Sequence, residues 1–275
     1  MYQIVKKEKL NDVVELMIVK APMVARKCQP GQFIILRVDE KGERIPLTIA
    51  DFDREQETIT IIYQIVGYST QELAKLNEGD YILDFVGPLG APTELKKHKR
   101  VLGIAGGVGS APLFPQLRAL AAMGVSVDVI IGGRSTPYVL WEDRMKEFCD
   151  HVYVTTDDGS YGIKGFGTTV LQQLLDEGNV YDEVIAIGPV IMMKSVVNIT
   201  KPLGIPTMVS LNPIMIDGTG MCGCCRVTVG GKVKFACVDG PDFDGLEVDF
   251  DELMQRQRIF KEEEKHICNL TGGLR

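Results

Sequence analysis

Val101-Leu-Gly-Ile-Ala-Gly-Gly-Val-Gly-Ser-Ala-Pro112 decides how the chain reads. An unbroken apolar run is followed by a cluster of glycines, and from Leu113 to Met123 the apolar residues recur at helical spacing. A short continuous apolar run marks a strand covered on both faces, the habit of parallel sheets packed between helices. The glycines fall where the strand ends and the helix begins. Their amides and the helix N-terminus can face a pyrophosphate, with no side chain to hold the phosphate away. Such a turn can equally serve close packing alone.

The alternation continues downstream. Val125–Ile131 reads as a strand before a helical Trp141–Phe148, His151–Thr155 before Thr168–Leu175, and Glu183–Ile187 before Met192–Ile199, with Pro206–Leu211 as a last strand. This predicts an α/β domain over residues 98–211, a parallel sheet with crossover helices of the nucleotide-binding class. Asp157 and Asp158 in Thr-Thr-Asp-Asp-Gly-Ser, and Gly188-Pro189, fall at carboxyl ends of strands, as do Gly106, Gly107, Val108 and Gly109. Three turns therefore converge on the crevice where open α/β sheets bind ligands. After the second strand, Ile130-Ile-Gly-Gly-Arg134-Ser135 has no acid to hold a ribose 2′-hydroxyl, and Arg134 suits a 2′-phosphate. The residues alone leave NAD and NADP open.

Residues 1–97 follow another grammar. Val13–Val19, Gln32–Val38 and Thr58–Val66 read as short strands separated by turns and charged stretches, which predicts a small antiparallel β-barrel. The one helical signal there starts at Ser69, read as an N-cap completed by Glu72, and Gly87–Pro92 reads as a closing turn. Arg44-Ile-Pro46-Leu47-Thr48 supplies a guanidinium, a rigid ring and a hydroxyl; Ile62-Tyr63-Gln64 ends a strand; Ser69-Thr70 opens the helix. Together they suit a flavin's ring system and pyrophosphate. In isolation they are also ordinary barrel turns and a routine cap.

Residues 212–275 form a third segment. Asp217-x4-Cys222-x2-Cys225, completed by Cys237, matches a plant-type ferredoxin spacing with Asp in the first position. Gly218, Gly220 and Gly223 let a tight loop wrap a cluster and aim amides at its sulfides. Zinc is the rival, held by Cys222, Cys224, Cys225 and Cys237, but a zinc ribbon carries two separated C-x2-C knuckles and Cys237 has no such neighbour. We read an iron–sulfur cluster, with Cys224 a packed thiol beside it and Cys28, Cys149 and Cys268 buried as small hydrophobes. A hairpin (Arg226–Val229, Lys232–Phe235), a polar stretch from Asp239 to Asp251 and a charged helix from Leu253 to His266 follow.

The 275 residues, 45% hydrophobic and 24% charged, fit a globular chain of two or more domains. A net charge of −7 gives no basic footprint for nucleic acid. No apolar run approaches a membrane span, and the charged N-terminus lacks the pattern of a signal peptide. Seven cysteines, four of them clustered between Cys222 and Cys237, suit a reducing compartment, hence a cytoplasmic expectation.

Taken together, Arg44-x-Pro-Leu-Thr, Tyr63 with Ser69-Thr70, Gly106-Gly-Val-Gly-x-Ala-Pro, Gly188-Pro189-x-x-Met192 and the Asp/Cys loop resemble the ferredoxin-NADP reductase-like superfamily. The likeness is to the group holding the electron-transfer subunits of dihydroorotate dehydrogenase and of electron-bifurcating NADH/NADPH/ferredoxin oxidoreductases. The resemblance covers essentially the whole chain. It implies an FAD-binding barrel contacted by Arg44, Pro46, Leu47, Thr48, Ile62, Tyr63, Gln64, Ser69 and Thr70. It also implies a nicotinamide-nucleotide site at Gly106–Gly109, Gly188 and Pro189, with NAD(H) as the nucleotide, and a 2Fe-2S cluster on Asp217, Cys222, Cys225 and Cys237. The dihydroorotate subunit normally has Cys where Asp217 stands, which favours the bifurcating group. There the partner is a larger subunit with a second FAD and 4Fe-4S clusters, and ferredoxin is served through the complex. No acid–base catalyst is expected, because hydride transfer to flavin needs none.

Overall fold

In the computed structural model, residues 1–270 are described; 271–275, the end of the third segment, lie outside them. The N-terminal half is one antiparallel sheet of β1 (Tyr2–Lys9), β2 (Val14–Lys20), β3 (Phe33–Arg37), β4 (Ile45–Asp53), β5 (Thr58–Gln64), β6 (Tyr81–Ile82) and β7 (Asp84–Leu89). The order is β6-β1-β2-β5-β4-β3-β7. The two edge strands are separated in sequence by Leu83 alone, so the sheet has curled until its edges nearly meet. Its interior is filled by Ile4, Met17, Val19, Ile34, Leu36, Ile59, Ile61, Tyr63 and Phe85.

Strand β3 shows why its sequence is apolar throughout. Ile34 and Leu36 face the barrel interior, while Phe33 and Ile35 pack on Cys225, Ala236 and Cys237 outside it. Several elements differ from the sequence reading. β1 is a strand although only Ile4 is buried among its charges. β4 and the short helix α1 (Pro22–Ala25) were not predicted, and the supposed turn at Gly87–Pro92 begins as the end of β7. An edge strand such as β7 tolerates Pro88, since its missing N–H faces no partner. Helix α2 (Tyr68–Lys75) is capped not by Ser69 but by Gly67, whose amide donates to Thr70 Oγ1 at 3.1 Å.

The second sheet runs β11-β10-β9-β8-β12-β13-β16. Its strands are β8 (Arg100–Gly106), β9 (Ser126–Gly133), β10 (His151–Thr156), β11 (Ile163–Lys164), β12 (Glu183–Ile187), β13 (Thr207–Ser210) and β16 (Asp242–Asp244). Its helices are α3 (Ser110–Ala122), α4 (Glu142–Lys146), α5 (Gly167–Asp176) and α6 (Val190–Thr200). Leu102 and Ile104 of β8 face the α5/α6 layer, and Val101 and Ala105 face α3. That two-sided burial is the cause of the unbroken apolar run. The sheet is mixed rather than wholly parallel, because β16 pairs antiparallel with β13, Ser210 opposite Asp242.

The predicted hairpin is present as β14 (Arg226–Val229) and β15 (Lys232–Phe235), followed by α7 (Ala236–Asp239). The single charged helix is two, α8 (Phe250–Arg256) and α9 (Lys261–Leu270). Phe250 and Leu253 join the core under α6, so the last segment shares the sheet and core of the preceding one. Among the described residues no helix is long and apolar enough to cross a membrane.

Two contacts fix the barrel on the α/β layer. Val14, Leu16, Ala50 and Ile62 of its outer face pack on Ala111 and Leu140. Asp51 takes a 2.6 Å bond from Arg118 Nη2 and another 2.6 Å bond from Arg144 Nη2. Burial pushes that carboxyl up, but the two guanidiniums outweigh it and hold it below its ordinary value.

Where barrel, sheet and cysteine segment meet, Asp242 Oδ2 accepts from Thr93 Oγ1 at 2.6 Å and Gln116 Nε2 at 3.3 Å, while Oδ1 is shut off without a partner. Burial raises its carboxyl from 3.8 to about 6. The folded state thus favours the protonated acid, and that contribution fades as pH rises from about 4 through about 6. D242N should raise the unfolding free energy by roughly 1–3 kcal/mol above pH 6 and by little near pH 4. Equal gains at both pH values in chemical denaturation would refute this.

Candidate functional site

The switch point of the second sheet lies between β8 and β12, whose carboxyl ends carry the two glycine turns. Three of these glycines are packing positions. A Cβ on Gly109 would meet Ile187 O at 2.2 Å, one on Gly188 would meet Gly106 Cα at 3.1 Å, and one on Gly106 would meet Met192 Sδ at 2.7 Å. Gly107 differs: φ is +56° and nothing lies within 4 Å of where its Cβ would be. Close packing and an open, left-handed face therefore coexist in one turn. Val108 sits between them, partly buried against the barrel interface. Asp157 and Asp158 follow β10 on the same rim, their amides bonded to Gly133 O and Arg134 O. Asp158 Oδ1 accepts from Ser160 N at 2.9 Å, which holds its carboxyl below the usual range.

On the barrel, Pro46 is opposite Ile35 and Thr48 opposite Phe33. Alternation along β4 turns Pro46 and Thr48 to the outer face, with Ile45 and Leu47 packed on the interior. Arg44 precedes the strand on the outer parity. Its Nε and Nη2 donate to Ile216 O and Asp217 O, each at 3.1 Å. Tyr63 does not offer a ring to a ligand: it is 2% exposed, fills the barrel core and donates its hydroxyl to Glu15 Oε2 at 2.6 Å. Ile62 points the other way into the interdomain core, and Gln64 is half-buried at the strand end. At α2, the first-turn amides of Tyr68, Ser69 and Thr70 are the orphan donors of any helix start. Ser69 Oγ donates to Glu43 there.

The cysteine loop is wound by Gly218 (φ +83°), Gly220 (φ +85°) and Gly223 (φ +70°). Gly218 is pressed so tightly on the barrel that a Cβ would meet Ile35 Cδ1 at 2.5 Å. Cys225 and Cys237, both buried, place their sulfurs 3.1 Å apart as free thiols. Burial and the neighbouring Cys225 push the Cys237 thiol up to about 12, opposed by the Gly220 amide. Cys222 is exposed, and the amides of Cys224 and Asp217 lower it. Asp217 Oδ2 accepts from Thr219 Oγ1 and, at 2.9 Å, from Thr219 N, which hold its carboxyl low. Among the described residues no three His, Cys, Asp or Glu side chains gather about a single metal position. Two thiol pairs stand there instead, Cys222 with Cys224 and Cys225 with Cys237, with Asp217 beside the first of them. That set, with backbone amides aimed at sulfur, fits a binuclear cluster taking two ligands per iron.

Residues 212–249 match the model of the iron–sulfur cluster binding domain of dihydroorotate dehydrogenase B. A Thermotoga maritima homolog of the electron transfer subunit of dihydroorotate dehydrogenase B (NAD(+)) is 47% identical over 96% of this chain and 93% of its own. The corresponding Fusobacterium nucleatum subunit is 35% identical over 82% and 89%. The chain belongs to this family of electron-transfer subunits. A chain in the solved structure of an NADH-dependent reduced ferredoxin-NADP oxidoreductase, a study of flavin-based electron bifurcation, superposes with TM-score 0.93, 45% identity and 98% coverage of both chains. The protein is thus an electron-transfer oxidoreductase subunit related to both enzymes.

Other contacts of this family member's site were not foreseen. Arg256 Nη2 donates to Cys224 O at 3.3 Å, and Phe33, Ile35 and Phe235 wall the buried cysteines. Cys224 is half-buried beside Cys222. Cys28 is fully buried and Cys149 only partly; the expectation for Cys268 lies outside the described side chains.

Proposed function

We propose that this chain carries electrons from NADH through FAD to a 2Fe-2S cluster, within an electron-bifurcating NADH/NADPH/ferredoxin complex. The observation that carries this reading is that the Asp217–Cys237 segment is docked on the barrel face bearing Pro46 and Thr48. Residues 1–97 would hold FAD, with Pro46, Thr48 and Gln64 at the ring, the main chain of Leu47 and Ile62 beside it, and the amides of Ser69 and Thr70 at the pyrophosphate. The Tyr63 segment would contribute through its backbone, its side chain being committed to the core. Residues 98–211 would hold NAD(H), with Gly107 and Val108 at the pyrophosphate, Gly188 and Pro189 beside the nicotinamide, and Gly106 and Gly109 keeping these turns in contact. Asp157 and Asp158 would close the rim. Asp217, Cys222, Cys225 and Cys237, in residues 212–275, would ligate the cluster.

Flavin, when bound, accepts two electrons together and releases them singly; the protein positions and tunes it. The interdomain core around Ile62 and Ala111 keeps the nucleotide crest against the barrel and excludes water. The Arg118–Asp51–Arg144 clamp holds that orientation. A larger subunit with a second flavin and 4Fe-4S clusters would receive electrons from the exposed side of the loop, where Cys222 and Met221 lie open. Protein purified anaerobically with its partner should contain flavin, iron and acid-labile sulfide. Colourless protein containing zinc would overturn the proposal.

Asp217 decides the ligand set. D217A should alter the cluster's EPR spectrum and lower cluster occupancy by about 10-fold or more. An unchanged spectrum would return the fourth ligation to Cys224. The matched family model supports a second reading, the electron-transfer subunit of an NAD-dependent dihydroorotate dehydrogenase; co-purification with a dihydroorotate-oxidising subunit would establish it.

A further inference from the structure

Arg44 precedes the strand that carries Pro46 and Thr48, yet its guanidinium is turned onto the cysteine loop. It holds the carbonyls of two consecutive residues, Ile216 and Asp217, at 3.1 Å each. The next residue, Gly218, is the one pressed on Ile35 and Leu89 with no room for a Cβ. Three consecutive loop residues are thus held against the barrel, two by a cation and one by packing. A guanidinium suits this position because its planar fork satisfies two acceptors while its charge persists at any working pH. That charge stands against the main chain of Asp217, beside the cysteine loop. Adding an electron to a cluster makes it more negative, so a fixed cation nearby favours the reduced form.

We propose that Arg44 is a positioning residue that straps the cluster loop to the flavin strand and holds the cluster's reduction potential up. This rests on the reading that the loop holds a 2Fe-2S cluster and the barrel holds flavin.

The test uses the anaerobically purified complex with R44Q, which removes the charge, and R44K, which keeps it but loses the fork. At a fixed poise near the wild-type midpoint, R44Q should lower the ratio of reduced to oxidised cluster about tenfold, a shift of ~59 mV for one electron. R44K should stay within about threefold of wild type, its charge being retained. R44Q that binds both groups with an unchanged midpoint overturns the proposal, as does an R44K shift equal to that of R44Q. Should R44Q load no cluster, amide hydrogen exchange of the cluster-free chain decides. Faster exchange at 216–220 in R44Q with the barrel strands unchanged supports the strap, and unchanged exchange there overturns it. Wild type lacking flavin or cluster would instead sink the parent reading, while the exchange result still judges the strap.

Discussion

C225S is expected to remove the cluster while leaving NADH reduction of the flavin intact. Cys225 is 1% exposed, its sulfur lies 3.1 Å from that of Cys237, and Phe33, Ile35, Met215 and Ala236 enclose it. Serine is a poorer iron ligand at neutral pH, and its hydroxyl would sit in an apolar wall at a cost of about 1–3 kcal/mol if unpaired. Cluster occupancy should fall about 10- to 100-fold, the range seen when even outer-shell partners of metal sites are lost. Iron and sulfide analysis with EPR of the reduced protein measures this. A full-strength signal in C225S would mean that Cys225 is a packing thiol and the two-pair arrangement is wrong.

G109A should have the second large effect, and through a different cause. The added methyl would meet the backbone oxygen of Ile187 at 2.2 Å and its carbonyl carbon at 2.8 Å. Neither atom can rotate away, so β8 and β12 must separate at the crest where the turns face each other. Overpacking of this kind costs about 1–3 kcal/mol or more, which lowers Tm by several degrees in a chain of this size. NADH affinity should drop by about tenfold or more, because a 1 Å misplacement weakens every amide contact in the turn. G107A contrasts with it in the free protein: its Cβ enters open space and pays only for the left-handed backbone, about 1–2 kcal/mol, so β8 and β12 stay together. If amide hydrogen exchange of the free protein shows β8 and β12 equally loosened in G107A and G109A, the division between packing and open glycines fails.

What could be read before the fold was known depended on the face each residue occupies. β8, β9, β10 and β12 were legible because both their faces are buried, and the β14–β15 hairpin because Gly230-Gly231 marks its turn. β1 was hidden by charges on its solvent side, and β16 by a polar stretch whose pairing partner, β13, lies some thirty residues earlier. The facing of the Tyr63 side chain was hidden for a related reason. Ile61, Ile62 and Tyr63 are all apolar, so sequence does not say which parity faces the barrel; register puts Ile59, Ile61 and Tyr63 inside and Ile62 outside. The cysteine spacing and the glycines of the loop were visible directly, since a tight left-handed loop has few sequence solutions. Arg44 was not, because its partners are main-chain carbonyls 172 and 173 residues away.

Nucleotide, flavin and cluster should form one path through this chain. An anaerobic NADH titration of the isolated complex, followed by visible absorbance and EPR together, puts that path to the proof in a single sample. Flavin absorbance is expected to bleach, and a 2Fe-2S signal sensitive to D217A is expected to grow in, as NADH is added. Bleaching of flavin without any such cluster signal, or no response to NADH at all, would contradict it.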